Sequence, residues 1–466
     1  MSNGFRRQGD RGERATKSEQ RRTGDWDFAP AILRTVSREE GVPVATLKQG
    51  LQQGTIVIPM NARRGRRALG LRPEALGVFR PVAIGQGLRT KVNANLGTSP
   101  DRANLRSELA KLKVACAAGA DTVMDLSTGG DIPGIRRAIL AASPVPVGTV
   151  PLYEASFAAR RRGKSFVELT PQEILDVVEA HCRDGVDFIT VHCGIRQAAF
   201  AILKRGPRLT GVVSRGGSMI LEWMKHNRQD NPLYERYDEL LAIARASRVC
   251  LSLGDGLRPG SLADASDEAQ ISELVVIGEL VSRARAAGVM AMVEGPGHVP
   301  LHEIEANVLL AKTICRNAPF YVLGPLVTDI ACGHDHITAA IGGALASYYG
   351  ADFLCCVTPT EHLGLPTKAD VRAGVLASRI AGHAGDVARG NARAREWDLS
   401  VSRARANLNW KQMIDASLDP VRARRIYRAA ASRTADVCTM CGEFCAMKKS
   451  REIFRNATRM SKGGRI

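Results

Sequence analysis

Cys438, Cys441 and Cys445 crowd the C-terminal segment, separated by two and then three residues. Thiolates at this spacing suit a bound metal or an iron–sulfur cluster. A structural zinc site wants four protein ligands, yet no cysteine follows Cys445 and the last histidine is His383. Three cysteines suit a 4Fe–4S cluster with one iron free of protein ligands; zinc completed by a ligand from elsewhere in the fold or from a partner stays open. An open iron can chelate the amino and carboxylate groups of S-adenosylmethionine, whose one-electron reduction yields a 5′-deoxyadenosyl radical.

Other chemistry-bearing residues end short apolar runs. His298 and His362 close two of them, near Glu294 and Glu361. Two neutral imidazoles on one face could hold a mononuclear Zn²⁺ or Fe²⁺ with positions left for substrate, and either alone could equally be a structural or acid–base residue. The turns SRGG (Ser214, Arg215, Gly216, Gly217) and GDGLR (Gly254, Asp255, Gly256, Leu257, Arg258) put glycines beside arginines. Backbone N–H groups there can approach an anion closely, which points to a phosphorylated substrate, although simple turn geometry explains any one glycine. The His334-Asp335-His336 tripeptide fits proton transfer or a hydrogen-bonded loop equally well.

These residues need elements to position them. From Lys91 the chain repeats one event: an apolar run, a polar or glycine-rich end, then a helical stretch. The runs begin at Lys91, Asp121, Val145, Asp187, Thr210, Val249, Val289, Phe320 and Asp352, roughly one βα unit apart. Segments such as ISELVVIGELVSRARAAGV between them carry helical apolar periodicity. Eight or nine βα units with strands apolar throughout predict an α/β protein built on a closed (β/α)₈ barrel, one run being an extra strand or loop. An open dinucleotide-binding sheet is disfavoured because GxGxxG is absent. The reading divides the chain into a disordered basic arm (1–25), a small N-terminal domain (26–85), the barrel (86–395) and a helical C-terminal domain (396–466) ending in the cluster tail. A helical pattern spans Pro30 to Gln53, a strand TIVIP starts at Thr55, and helices are expected over 399–417 and 419–431. In such a barrel the strand ends converge, so Asn93, Asn95, Met124, Tyr153, His192, Ser214, Asp255, Arg258, Glu294, His298, Tyr321, Asp329 and His362 should share one face.

The composition is 45% hydrophobic and 24% charged over 466 residues, which excludes a disordered, collagen-like or small disulfide scaffold. Net charge is +18, and the flanks 1–72 and 396–466 each carry 15 basic against 7 acidic residues. Without interleaved aromatics these flanks read as solvated tails or contacts to anionic ligands or a partner subunit, not as a nucleic-acid surface. No stretch approaches the roughly 20 apolar residues of a spanning helix, and no apolar run follows the first arginines, so a cytoplasmic protein without membrane association is expected. The eleven cysteines mostly sit in apolar runs such as FLCCV, with Cys355 and Cys356, and read as reduced core residues.

The motifs NANLGTS, ADTVMDLSTGG, PVPVGTVPLYEA, GVVSRGGS, SLGDGLRPGS, EGPGHVP, APFYVLGPLVTDI, DHIT and TPTEHLGLP, nearly colinear from Thr55 to Met447, closely resemble the phosphomethylpyrimidine synthase family. The resemblance implies a radical S-adenosylmethionine lyase on a (β/α)₈ barrel. It implies conversion of 5-aminoimidazole ribotide to 4-amino-5-hydroxymethyl-2-methylpyrimidine phosphate in thiamine biosynthesis, with formate and carbon monoxide as by-products. Substrate contacts would fall on Asn95, Met124, Tyr153, His192, Ser214, Arg215, Gly216, Asp255, Gly256, Leu257, Arg258, Glu294 and Tyr321. A mononuclear Zn or Fe would fall on His298 and His362, and the 4Fe–4S cluster on Cys438, Cys441 and Cys445. A flavodoxin or ferredoxin as electron donor and a homodimer, one subunit's tail covering its partner's barrel, are implied too. Three residues instead of the usual four separate Cys441 from Cys445. ACGHDHIT stands for APGYDHIT, bringing Cys332 and His334, and His192-Cys193-Gly194 stands for HAG. The alternative is the related 5-hydroxybenzimidazole synthase, which acts on the same ribotide for cobamide lower-ligand synthesis.

Overall fold

The computed structural model of the chain describes residues 28–68, 79–206, 208–430 and 437–462; the expected basic arm, 1–25, lies outside them. Strands β1 (Ile56–Val57) and β2 (Ile84–Gly85) pair antiparallel below the main sheet. That sheet is β3 (Lys91–Leu96), β4 (Thr122–Asp125), β5 (Val147–Thr149), β6 (Phe188–Val191), β7 (Cys250–Leu253), β8 (Ala291–Gly295), β9 (Phe320–Leu323) and β10 (Phe353–Cys355). All pair in parallel with their chain neighbours, and β10 pairs with β3 to close the barrel. Both faces of a strand in this architecture are covered, which is why the runs are apolar without alternation. Every residue of the eight strands is buried except Asn95, Glu294 and Leu323, which are half-buried.

Eight of the nine apolar runs are strands. The ninth, from Thr210, is a loop that turns at Gly211 (φ +69°) and enters the helix Arg215–Asn227. Its two valines are too short a stretch to pair, and Ser214 ends it by capping that helix, accepting from the Gly217 N–H.

The N-terminal residues close the barrel floor. Helices Pro30–Glu40 and Val44–Gln53 end in left-handed Gly41 and Gly54, and their apolar faces join the barrel core through Ile32, Leu33, Val36, Leu47 and Leu51. Asn61 inserts its side chain beneath β6, donating to the Cys182 and Val186 carbonyls at 2.9 and 3.0 Å. Its N–H donates to Asp187, whose other oxygen accepts from the Val147 N–H. Glu40 pairs with the fully buried Lys91 at the start of β3.

C-terminal to the barrel helix Lys368–Ala388 the chain forms Ala392–Ala406, Trp410–Asp415 and Pro420–Ala429. The segment expected as one helix over 399–417 is therefore two, broken where Leu408 takes a positive φ of 52° and Asn409 caps the next turn. A tight turn through Cys438–Cys445 then leads into the helix Ala446–Lys462.

Candidate active site

Each of the eight barrel strands delivers at least one side chain to a single cavity at the barrel's C-terminal mouth. They are Asn95 from β3, Met124 from β4, Tyr153 just beyond β5, His192 after β6, Asp255 after β7, Glu294 on β8, Tyr321 on β9 and Cys355 ending β10. Arg258 joins them, with Leu126, Val150, Thr190, Val322 and Leu323. The cavity opens to solvent and is lined by both polar and apolar side chains. Parallel strands of one register leave their C-terminal ends level, so residues far apart in sequence meet here.

The polar lining is a linked network. Thr190 and Ser252 both donate to one oxygen of Glu294 at 2.7 Å. Asn93 bridges the floor: its amide donates to the Asn95 side chain (2.9 Å) and the Tyr321 hydroxyl (2.8 Å), and its oxygen accepts from Thr122. Asn95 in turn donates to the Cys355 sulfur at 3.2 Å. Asp255 accepts from Arg258 at 3.1 Å.

Burial sets the protonation states. It pushes the Asp255 carboxyl up to about 7, and it raises Glu294 as well despite the Ser252 and Thr190 hydroxyls and Arg258. It drives His192 down to about 3, with the nearby Arg258 adding to the shift, so this imidazole is neutral at physiological pH. Burial opposes the charge on Arg258, but Asp255, Tyr153 and Glu294 outweigh it and hold the guanidinium firmly cationic. His192 Nδ1 and Asp255 Oδ2 are buried and have no hydrogen-bond partner. Buried polar atoms are normally satisfied, so two orphans on one cavity mark positions for a ligand's polar groups.

The remaining expected residues frame the cavity. Arg215 stacks its guanidinium over Tyr153, 4.8 Å from the ring centroid. Gly216 lies against His192 so closely that a Cβ would stand 2.2 Å from the imidazole, and one on Gly217 would stand 2.1 Å from the Gly256 carbonyl. The two glycine turns thus pack on each other. Gly256 and Leu257 donate their N–H groups to Glu273; burial pushes this carboxyl up to about 8.

His298 and His362 come together beside this mouth, ring centroids 5.3 Å apart and tilted by 50°. His298 hydrogen-bonds the Pro259 carbonyl, and burial followed by its histidine neighbour lowers its pKa. His362 Nδ1 faces Asp335 at 3.1 Å, the carboxylate–histidine arrangement that orients metal-binding imidazoles and leaves Nε2 free. Among the described residues no three His, Cys, Asp or Glu side chains are grouped as a metal site, so the pair fits a metal completed by non-protein ligands. Cys438, Cys441 and Cys445 lie on nested turns: the Gly442 N–H donates to the Cys438 carbonyl and the Phe444 N–H to that of Cys441. All three are free thiols and Cys441 is exposed; as donors three thiols suit an iron–sulfur cluster, although in this structure the three sulfurs are not gathered into one site.

Sequence reasoning missed Thr190, Ser252 and Glu273; Cys355 is a buried, free core thiol as expected, and it lines the cavity as well. Thr190 lies two residues before His192, so strand alternation points to it. Glu273 falls on the buried stripe of its helix with Gln270, Ile277 and Leu280, a charge at an apolar position that the periodicity displays.

The Radical SAM ThiC family matches residues 19–452 of this chain. A protein from Moorella thermoacetica named Phosphomethylpyrimidine synthase is 56% identical over 416 residues, 89% of this chain and 94% of that one. Proteins of the same name from Desulforudis audaxviator and Geobacter metallireducens are 55% and 52% identical, each over 89% of this chain and over 94% and 93% of their own.

Proposed function

The chain belongs to the radical SAM ThiC family, and from that premise we propose that it is a phosphomethylpyrimidine synthase acting on 5-aminoimidazole ribotide in thiamine biosynthesis. The observation that carries this reading is the cavity to which every barrel strand contributes at least one residue, with a fixed cation, two carboxyls raised by burial and a neutral histidine on its walls. The names of the relatives do not favour the benzimidazole-forming alternative.

Arg258, Arg215 and the N–H groups of the Ser214–Gly216 turn bind the ribotide phosphate, as cations and a capped helix N-terminus favour an anion. Neutral His192 and the unpaired oxygen of Asp255 take up the polar edge of the substrate. Asp255, whose carboxyl burial raises to about 7, gives and receives protons near neutrality as substrate bonds rearrange, and Glu294, held by Thr190 and Ser252 and also raised by burial, stands beside it. Asn95 and Tyr321 orient the ring on the floor, Gly256 and Leu257 shape the turn that carries Arg258, and Met124, Leu126 and Val150 exclude water. Cys438, Cys441 and Cys445 hold the 4Fe–4S cluster, and His298 and His362 hold one divalent Zn or Fe. When bound, the cluster supplies the electron that cleaves S-adenosylmethionine and the metal supplies Lewis acidity beside the substrate. A flavodoxin or ferredoxin delivers that electron, and the active form is a cytoplasmic homodimer. The lack of any membrane-spanning helix among the described residues is consistent with that location.

The test is anaerobic reconstitution with iron and sulfide, then reductant, S-adenosylmethionine and the ribotide, with products identified by mass spectrometry. The expected outcome is the pyrimidine phosphate together with 5′-deoxyadenosine; 5-hydroxybenzimidazole in its place overturns the assignment.

A further inference from the structure

The segment Asp255–Arg258 follows β7 and carries two cavity residues, yet it has left the strand ladder and lies almost wholly buried. Its backbone groups must find partners outside the sheet. Glu273 takes two N–H groups, one on each oxygen: Gly256 at 2.9 Å and Leu257 at 2.6 Å. Arg208 takes two carbonyls, donating to Leu257 at 2.5 Å and Arg258 at 3.2 Å. The Arg208 side chain is buried and is itself gripped by both oxygens of Asp267. Asp267 is the N-cap of the helix Glu268–Ala286, and Glu273 lies on that same helix. A buried carboxyl and a buried guanidinium, both fixed to the start of one helix, thus hold opposite sides of one four-residue turn.

We infer that Arg208 and Glu273 are positioning residues that aim Arg258 and Asp255 at the substrate, although neither lines the cavity. The inference rests on the reading that the ribotide binds there. A carboxyl group suits the task because each of its two oxygens accepts one of the backbone N–H groups. In Glu273→Gln the amide NH₂ opposes one of the two N–H groups and leaves it unsatisfied. In Arg208→Lys a point ammonium replaces the planar fork that spans two carbonyls.

The experiment uses the full-length reconstituted enzyme as wild type, E273Q, R208K, R258K and the E273Q/R258K pair. Ribotide affinity is measured by equilibrium dialysis, with KM and kcat determined alongside. Amide exchange over residues 254–260 is followed in ribotide-free protein. Expected for E273Q and R208K are faster exchange in that segment and about tenfold weaker ribotide binding and higher KM, with kcat changed much less. In the R258K background E273Q should add less than about twofold, because its effect passes through Arg258. A purely structural role would lower the active fraction and leave the affinity of folded protein unchanged. The inference is overturned if both single variants bind ribotide within about twofold of wild type, or if the E273Q and R258K losses multiply. Should E273Q fail to fold, R208K decides by the same criteria. If wild type binds no ribotide while E273Q exchanges faster over 254–260, the clamp on the turn stands and the ribotide reading alone falls.

Discussion

Asp255 has a carboxyl that the fold holds protonated well past its ordinary range, and that has a thermodynamic signature. Burial raises it from 3.8 to about 7, so between those values the folded protein keeps a proton that the unfolded chain has released. Folding stability therefore falls as pH rises through this window and levels off above it. Asp255→Asn, which keeps an oxygen to accept from Arg258, removes the titration. Relative to wild type the variant should gain stability steadily from about pH 4 to about pH 7, by on the order of a few kcal/mol, in metal-free protein. Thermal midpoints compared across that range measure it; parallel curves for the two proteins would refute the buried-proton account. At the C-terminus, Cys445→Ala removes one of three thiols, so cleavage of S-adenosylmethionine should fall to background while circular dichroism keeps the barrel signature. Retained cleavage would remove Cys445 from the cluster. Residue types at strand ends were legible in the sequence. What sequence could not supply was pairing: that Thr190 and Ser252 both serve Glu294, or that Asn93 joins Asn95 to Tyr321, depends on strands 42 to 228 residues apart coming into register.

Among the elements, the loop and helix around Ser214 do more for the site than a ninth strand would. Because the run from Thr210 stays out of the sheet, the helix Arg215–Asn227 starts at the cavity mouth and brings its capped N-terminus there. The fit depends on the absence of side chains at Gly216 and Gly217. Gly216→Ala should displace His192 and weaken ribotide binding by about tenfold or more, with little change in helix content; an unchanged dissociation constant would show that the clash with His192 is absorbed elsewhere. Strand positions and barrel closure followed from the apolar runs. That one of the nine runs is extra also followed; which run it is, and the break at Leu408, did not, because two valines and a polar segment satisfy the same local pattern in a loop as in a regular element.

For the whole molecule, the floor and the mouth of the barrel divide the labour. Chemistry gathers at the C-terminal ends of the strands, and stability at their N-terminal ends, where Asn61, Arg64 and Glu40 reach Asp187, Val186 and Lys91. Asn61→Ala strands two buried carbonyls and should cost about 2–3 kcal/mol in denaturant unfolding while leaving ribotide affinity intact. Loss of affinity in step with stability would mean that floor and mouth are coupled.

The Asn61 plug also dictates an order of events during synthesis. Its side chain and N–H find their partners 121–126 residues later, and β3 finds its second neighbour only when β10 has been made. Asn61 therefore waits until residue 187 has been made, and one edge of β3 stays unpaired until β10 follows. Folding of this protein is dominated by long-range contacts and should be slow, with nascent chains that depend on chaperones until residue 355 is free to close the ring.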